Sequence, residues 1–410
     1  MKFEDYHIIP EIKTSLAELG FKRPTDIQFK AIPNILNGED VLAIAQTGTG
    51  KTAAFAIPII HLISQSGVAQ GVQAIVMVPT HELAIQITEV FNAIGKYTDV
   101  RTLALYGGVD QDPQIEQLRD GVDILIATPG RLFDLVSQRH LTLRDLKLLV
   151  LDEADLMLDL GFYKDIEFLI SKLPSRRQTL FFSATIDEKI KKLAYSIVRN
   201  AIRIQISPKD PVSKNVTHSM MYVSMDDKRF FLERIVNENP ESRILVFVRT
   251  KVRAERVFEA MKRVGITCQT MHGDKNQDDR LQVMNDYKNG VFKVLIATDI
   301  SARGVDIANV DYVINYDLPD VAENYVHRVG RTGRGNNKGV AVSFCSAEEK
   351  PVLDEIEQYM DKKVNVLAVN KADYSETLAL TEDVNDNWKK LISDFDSEEK
   401  AYKGKKKKKK

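Results

Sequence analysis

At 410 residues and 46.3 kDa the chain exceeds one ordinary core, so two domains with an appendage are expected. Its 44% hydrophobic and 28% charged residues are those of a globular protein, without the unbroken apolar run that a spanning helix needs. A formal net charge of −1 excludes polyanion binding by global charge and leaves that task to local basic groups.

The opening Met1-Lys2-Phe3-Glu4-Asp5 lacks the apolar core of a signal peptide, so a cytoplasmic protein with no membrane partner is expected. Short apolar runs then alternate with amphipathic ones, the pattern of a parallel sheet covered by helices. Buried strands are expected at Val41–Ala45, Ala74–Val78, Thr102–Tyr106, Asp123–Ala127, Leu146–Leu151 and Gln178–Phe182, with helices such as Glu82–Ile94 and Pro113–Leu118 between them. The pattern restarts with strands at Arg243–Val248, Thr267–Met271, Lys293–Ala297, Tyr312–Asn315 and Gly339–Cys345. Polar, proline-bearing Ser207–Ser213 reads as the break. The division expected is 1–206, a linker at 207–214, a second domain at 215–366, and an acidic then lysine-rich extension at 367–410. In that extension Leu380–Phe395 reads as a short helix or as disordered tail, and Lys405–Lys410 as an RNA tether or a solubilising or added tail. Cys268 and Cys345, the only cysteines, sit in apolar runs and read as buried free thiols of a reducing compartment; no Cys/His spacing suggests zinc.

The first strand runs into Ala45-Gln46-Thr47-Gly48-Thr49-Gly50-Lys51-Thr52 and then a helix. Glycines let the backbone turn tightly and set bare N–H groups against phosphate at a helix N-terminus. Lys51 is placed to reach β- and γ-phosphates, and the Thr52 hydroxyl to ligate magnesium. The strict pattern wants glycine at position 45 and finds alanine. A structural glycine turn accounts for the glycines but not for Gly-Lys-Thr in register.

Leu148-Leu149-Val150-Leu151 ends in Asp152-Glu153-Ala154-Asp155. Carboxylates at the carboxyl end of a buried parallel strand lie where open α/β sheets bind ligands. Taken alone they read as a solvated turn or a helix N-terminus. Paired with the phosphate loop, Asp152 is placed to hold magnesium, partly through water, and Glu153 to orient the attacking water. In the second half, His327-Arg328-Val329-Gly330-Arg331-Thr332-Gly333-Arg334-Gly335 carries three arginines among glycines. It reads as a solvated basic loop or as a phosphate-binding one, and in the second reading the ATP site is complete only when the halves close.

Together these residues resemble the DEAD-box ATP-dependent RNA helicases of bacterial type, a superfamily 2 family, over roughly Phe3 to Val366. The resemblance implies an α/β fold of two tandem RecA-like parallel-sheet domains joined by a short linker. Gly20-Phe21-Lys22-Arg23-Pro24-Thr25-Asp26-Ile27-Gln28 resembles the family's adenine-reading segment, which implies that Phe21 stacks on the base and Gln28 bonds its edge. Also implied are catalytic roles for Lys51, Asp152, Glu153, Arg331 and Arg334, and ATP contacts from Gly304 and Asp306. RNA contacts are implied at Gly107, Gly108, Thr128, Arg131, Asp134, Thr250, Arg280, Thr298 and Arg303, and coupling between domains at Asp155, Ser183, Thr185 and His327. The expected activity is an RNA-dependent ATPase, with ATP and Mg2+, that locally opens short duplexes or remodels RNA–protein complexes. The expected partner is RNA, single strands and short duplexes bound largely without sequence preference. Ribonucleoprotein partners through the extension and a monomeric state are expected as well. A DNA translocase of the same architecture and an ATP-gated clamp that does not unwind are the competing readings. One departure is His81 in Pro79-Thr80-His81-Glu82-Leu83-Ala84, where the family usually has arginine facing RNA; one phosphate contact is expected to be weaker there.

Overall fold

The computed structural model describes residues 2–46, 48–67, 71–206, 212–299, 307, 310–333 and 337–379. The first lobe holds β1 (Val41–Ala45), β2 (Ala74–Met77), β3 (Thr102–Leu105), β4 (Ile124–Ala127), β5 (Leu148–Leu151), β6 (Gln178–Ser183) and β7 (Ile202–Ile206). The second holds β8 (Val216–Tyr222), β9 (Ile244–Val248), β10 (Cys268–Met271), β11 (Val294–Thr298), β12 (Tyr312–Asn315), β13 (Gly339–Cys345) and β14 (Asn365–Val366). The first sheet is ordered β3-β4-β2-β5-β6-β1-β7 and the second β10-β11-β9-β12-β13-β8-β14, so adding seven to each strand of one gives the other. Every named strand pair in both sheets is parallel. The chain therefore repeats one doubly wound, RecA-like architecture twice.

Each sheet is buried on both faces, which is why its central strands read as unbroken apolar runs. Along β1, Val41, Ala43 and Ala45 enter one apolar cluster, and Leu42 and Ile44 the opposite one. Along β9, Leu245 and Phe247 face one cluster, and Ile244, Val246 and Val248 the other. The eleven strands expected from apolar runs are all present, within two residues at each end.

Three strands were not anticipated. β7 is an edge strand with Ile202 exposed, and β14 has two residues, both exposed. β8 lies inside its sheet but carries His218 and Ser219, whose polar atoms meet the Tyr325 hydroxyl and the Ala341 carbonyl. Partnered polar residues broke the apolar pattern there.

Beyond β14 a helix at Lys371–Ala379 lies on the second lobe. The Tyr374 ring packs 4.9 Å from Phe231, its hydroxyl donates to Asp227 at 2.7 Å, and Arg234 donates to the buried Thr377 hydroxyl at 2.8 Å. Of the C-terminal extension, Leu380–Phe395 and Lys405–Lys410 lie outside the described residues. No described helix is long and apolar enough to cross a membrane. Cys268 and Cys345 are buried and free, and burial raises the Cys345 thiol to about 11.

Candidate active site between the lobes

β1 lies between β6 and β7, and β6 separates β1 from β5. That order sets the loop after β1, the turn after β5 and Ser183 at the end of β6 side by side along one carboxyl edge. In the loop, Gly48 and Gly50 take φ of +84° and +92°, values that an L side chain adopts only with strain. Gly50 precedes the helix Lys51–Gln65, so that helix opens toward the cleft. The Thr49 hydroxyl donates to the Gln46 carbonyl at 2.8 Å, and Thr52 is half-buried at the helix start. Thr47 lies outside the described residues.

Gln28 ties the upstream segment to this loop. Its carbonyl accepts from the Thr25 N–H at 2.9 Å as part of a capping box, and its amino group donates to the Gly50 carbonyl at 3.1 Å. One amino hydrogen and one lone pair are left for a base edge. A Cβ on Gly50 would stand 2.6 Å from that amide nitrogen, a second reason for glycine. Phe21 is held edge-on against Phe3, with centroids 5.7 Å apart, and one side remains partly exposed.

Lys51 and Glu153 pair at 3.1 Å with side chains 5% and 8% exposed. Glu153 takes φ +51° and ψ +47°, the left-handed region, as β5 turns into the helix Ala154–Asp159. A non-glycine residue held there costs on the order of 1–3 kcal/mol, which the surrounding fold must sustain. The electrostatics are unbalanced. Burial pushes the Asp152 carboxyl well above the carboxylate range, and Lys51 only partly offsets it. Asp155 is raised by burial and by the charge of Glu153. Burial would raise Glu153 also, but Lys51, then His327, and then Arg331 hold it low. Lys51 itself is desolvated, yet the three carboxylates keep it strongly protonated.

Two of those groups come from the second lobe. His327 lies in the last turn of the helix Ala322–Val329 and Arg331 follows that helix, 2% exposed, with Nε donating to the His327 carbonyl at 3.2 Å. Arg328 turns inward instead: its guanidinium grips both Asp299 oxygens at 2.6 and 2.7 Å and the Asp317 carbonyl at 2.6 Å. Of the three arginines in this stretch, one is structural, one faces Glu153, and Arg334 lies outside the described residues, as do Arg303, Gly304 and Asp306.

The candidates for RNA form two groups, one on each lobe. On the first, Gly107 and Gly108 follow β3, and Arg131 donates to the neighbouring Val109 carbonyl at 2.7 Å, so it holds that loop from beneath. Thr128 precedes the helix Pro129–Ser137, without a side-chain capping bond, and is buried, whereas Asp134 on that helix is exposed. On the second, Thr250 is exposed and caps Lys251–Arg263, and Thr298 ends β11 half-buried. Arg280 reaches across the cleft to Glu82 at 2.8 Å. Gln277 joins it, donating to Glu82 at 3.2 Å and meeting His81 Nδ1 at 3.0 Å. His81, expected to face RNA phosphate, thus faces the other lobe and packs 5.6 Å from the Tyr106 ring. Glu82 and Gln277 were not foreseen as site residues; a glutamine three positions before Arg280 was the only hint. Ser183 is fully buried, and its hydroxyl meets the Thr185 N–H at 3.4 Å.

A DEAD/DEAH box helicase model matches residues 25–193, and a helicase conserved C-terminal domain model matches 227–336. The ATP-dependent RNA helicase RhlB of Shewanella oneidensis is 40% identical over 372 residues, which cover 89% of this chain and 85% of that protein. The chain belongs to the DEAD-box ATP-dependent RNA helicases. Among solved members, Saccharomyces cerevisiae Dbp5 bound to RNA and ADP BeF3 superposes with TM-score 0.83 at 30% identity, covering 93% of this chain and 99% of that one. A DEAD box protein from Methanococcus jannaschii is 35% identical over 90% of this chain and 99% of its own, yet scores 0.53.

Proposed function

We propose that this DEAD-box helicase closes its lobes on ATP and single-stranded RNA together, opening short duplexes or remodelling RNA–protein complexes, and that hydrolysis releases the strand. One observation carries the reading: Glu153, paired with Lys51 at 3.1 Å in the first lobe, lies near enough to His327 and Arg331 of the second for them to help hold its carboxyl low. A catalytic centre completed only on closure couples ATP to the second ligand.

In this mechanism the Gln46–Gly50 backbone and Lys51 hold the phosphates, while Phe21 and Gln28 hold the base. The Thr52 hydroxyl and Asp152 carboxylate offer the hard oxygen donors magnesium takes, and the raised Asp152 carboxyl is the imbalance a divalent cation relieves. When bound, magnesium supplies charge neutralisation at the phosphate oxygens. Glu153, ionised at neutral pH, orients the attacking water and accepts its proton. Arg331, with Arg334, neutralises charge that develops as the terminal phosphoryl group departs. Asp155, Ser183, Thr185 and His327 transmit closure to this centre.

RNA lies along Gly107, Gly108, Thr128, Arg131 and Asp134 of one lobe and Thr250, Arg280, Thr298 and Arg303 of the other. Contacts to the backbone make binding largely independent of sequence and sensitive to salt. Melting four to six base pairs at about 1.4 kcal/mol each, a DNA value, needs roughly 5–10 kcal/mol, which ligand-driven closure must supply. The enzyme acts as a cytoplasmic monomer, and residues beyond Ala379 recruit ribonucleoprotein partners. The test is ATPase activity with RNA, with DNA and with neither, alongside displacement of a short duplex. RNA-selective stimulation with displacement is expected. Stimulation by DNA would favour a translocase, and stimulation without displacement an ATP-gated clamp.

A further inference from the structure

Glu323 and His327 stand four residues apart on the helix Ala322–Val329, so both side chains leave one face of it. That face meets the first lobe at Asp155. One donor atom from each of Asp155, Glu323 and His327 lies within 4.8 Å of the other two. Two carboxylates this close across an interface repel unless a proton or a cation stands between them. Asp155 is 9% exposed, and its Oδ1 has no hydrogen-bond partner among the described residues. A buried carboxylate oxygen in that position calls for a water or an ion.

The chemistry of the donors selects the ion. Magnesium takes oxygen ligands and keeps several waters, which suits Thr52 and Asp152. One imidazole nitrogen with two carboxylate oxygens suits zinc and its first-row neighbours, which accept three protein ligands and leave a further position for water. At zinc–ligand distances of about 2.0–2.2 Å the donors must draw together by on the order of 1 Å, within reach of side-chain rotation.

We propose that Asp155, Glu323 and His327 form an interlobe site for a divalent transition-metal ion of the zinc class, and that this ion latches the lobes closed. The site is distinct from the magnesium position: it uses neither Thr52 nor Asp152, and two of its three ligands belong to the second lobe. Separating the lobes takes Glu323 and His327 away from Asp155, so the ion favours only the closed state. By linkage it slows opening, and with it the release of RNA.

Glu323 has no assigned part in hydrolysis, so changing it isolates the site. Cobalt(II) replaces zinc as a visible probe, titrated into the full chain held closed with magnesium, ADP-beryllium fluoride and a single-stranded RNA. The intact protein is expected to give the intense absorption of four- or five-coordinate cobalt, and equimolar zinc is expected to abolish it. Glu323→Gln should weaken cobalt binding by about tenfold or more. Glu323→His, which keeps a ligand in place, should preserve it. In the same preparations zinc should slow RNA release from the intact protein but not from Glu323→Gln, whose magnesium-dependent ATPase stays within about twofold of the original. Equal cobalt binding in the intact protein and Glu323→Gln would overturn the site, because the metal would then be held elsewhere. The cobalt arm needs only that RNA and ADP-beryllium fluoride bring the lobes together, whereas the release arm rests on the whole helicase cycle read above. A normal cobalt spectrum without RNA-stimulated ATPase would therefore count against that reading and leave the site standing.

Discussion

In the first lobe the groups that face the cleft are set by backbone geometry. Gly48 and Gly50 turn the phosphate loop at positive φ, and Glu153 is placed by its own left-handed conformation at the end of β5. In the second lobe, which has the same strand order, the corresponding edge is set by buried charge. Arg328 clamps Asp299, and Lys228, with no exposed surface, reaches Glu349 at 2.6 Å and Asp317 at 3.6 Å. Arg253 and Arg249 extend that network at 3.2 and 3.4 Å. One fold therefore positions a site in two ways. The backbone-set half is compact in sequence. The charge-set half depends on pairs whose members lie far apart in the chain, and loss of one member leaves the other buried and unpaired.

The sharpest way to probe this contrast is at the two residues that meet across the cleft. Arg331→Ala should lower the turnover number about 10³-fold while ATP affinity changes little, because the guanidinium is needed as charge develops. Steady-state ATPase with saturating RNA, beside nucleotide binding by fluorescence, separates the two. An equal loss in both would make Arg331 a simple binding residue. Glu153→Gln should slow hydrolysis by about 10²-fold or more and leave RNA trapped in the ATP-bound complex. Rapid turnover in that variant would remove Glu153 from the water-activating role.

Arg328→Ala tests the other kind of positioning. Asp299, Asn315 and the Asp317 carbonyl lose their partner, and breaking a buried pair costs roughly 3–5 kcal/mol. Denaturant unfolding followed by circular dichroism should show the second lobe melting earlier and the first unmoved. A single transition at the original midpoint would contradict the assignment. The smallest effect belongs to His81→Arg. A guanidinium there should steepen the slope of log RNA affinity against log salt by about 0.7, the contribution of one contact to a single strand. Fluorescence anisotropy across a salt series measures it. A flat response would place residue 81 in the interlobe contact with Gln277 alone.

These contrasts explain what the sequence made legible. Gln46–Thr52 and Asp152–Asp155 carry their proposed chemistry in contiguous residues, so pattern and spacing suffice to single them out. The central strands announce themselves through unbroken apolar runs, which their burial on both faces demands. β8 does not, because His218 and Ser219 are tolerated inside the sheet only through partners on other elements. The same reason hides the interlobe contacts: Glu82 and Gln277 lie 195 residues apart in sequence, and His81 and Gln277 lie 196 apart. Nothing local distinguishes either residue from an ordinary surface polar group. His81 is the instructive case, since its departure from the family was visible at once. The neighbour it acquires, Gln277, was not.

If Lys51 grips the nucleotide phosphates and Glu153 activates water as proposed, the ion pair between them has a consequence for how this enzyme meets nucleotide. An incoming triphosphate does not find an idle ammonium; it must displace a carboxylate that already neutralises it. Binding is thus a swap of one anion for another. The evicted glutamate is thereby released at the moment a water molecule needs a base, so arrival of the fuel arms the group that consumes it.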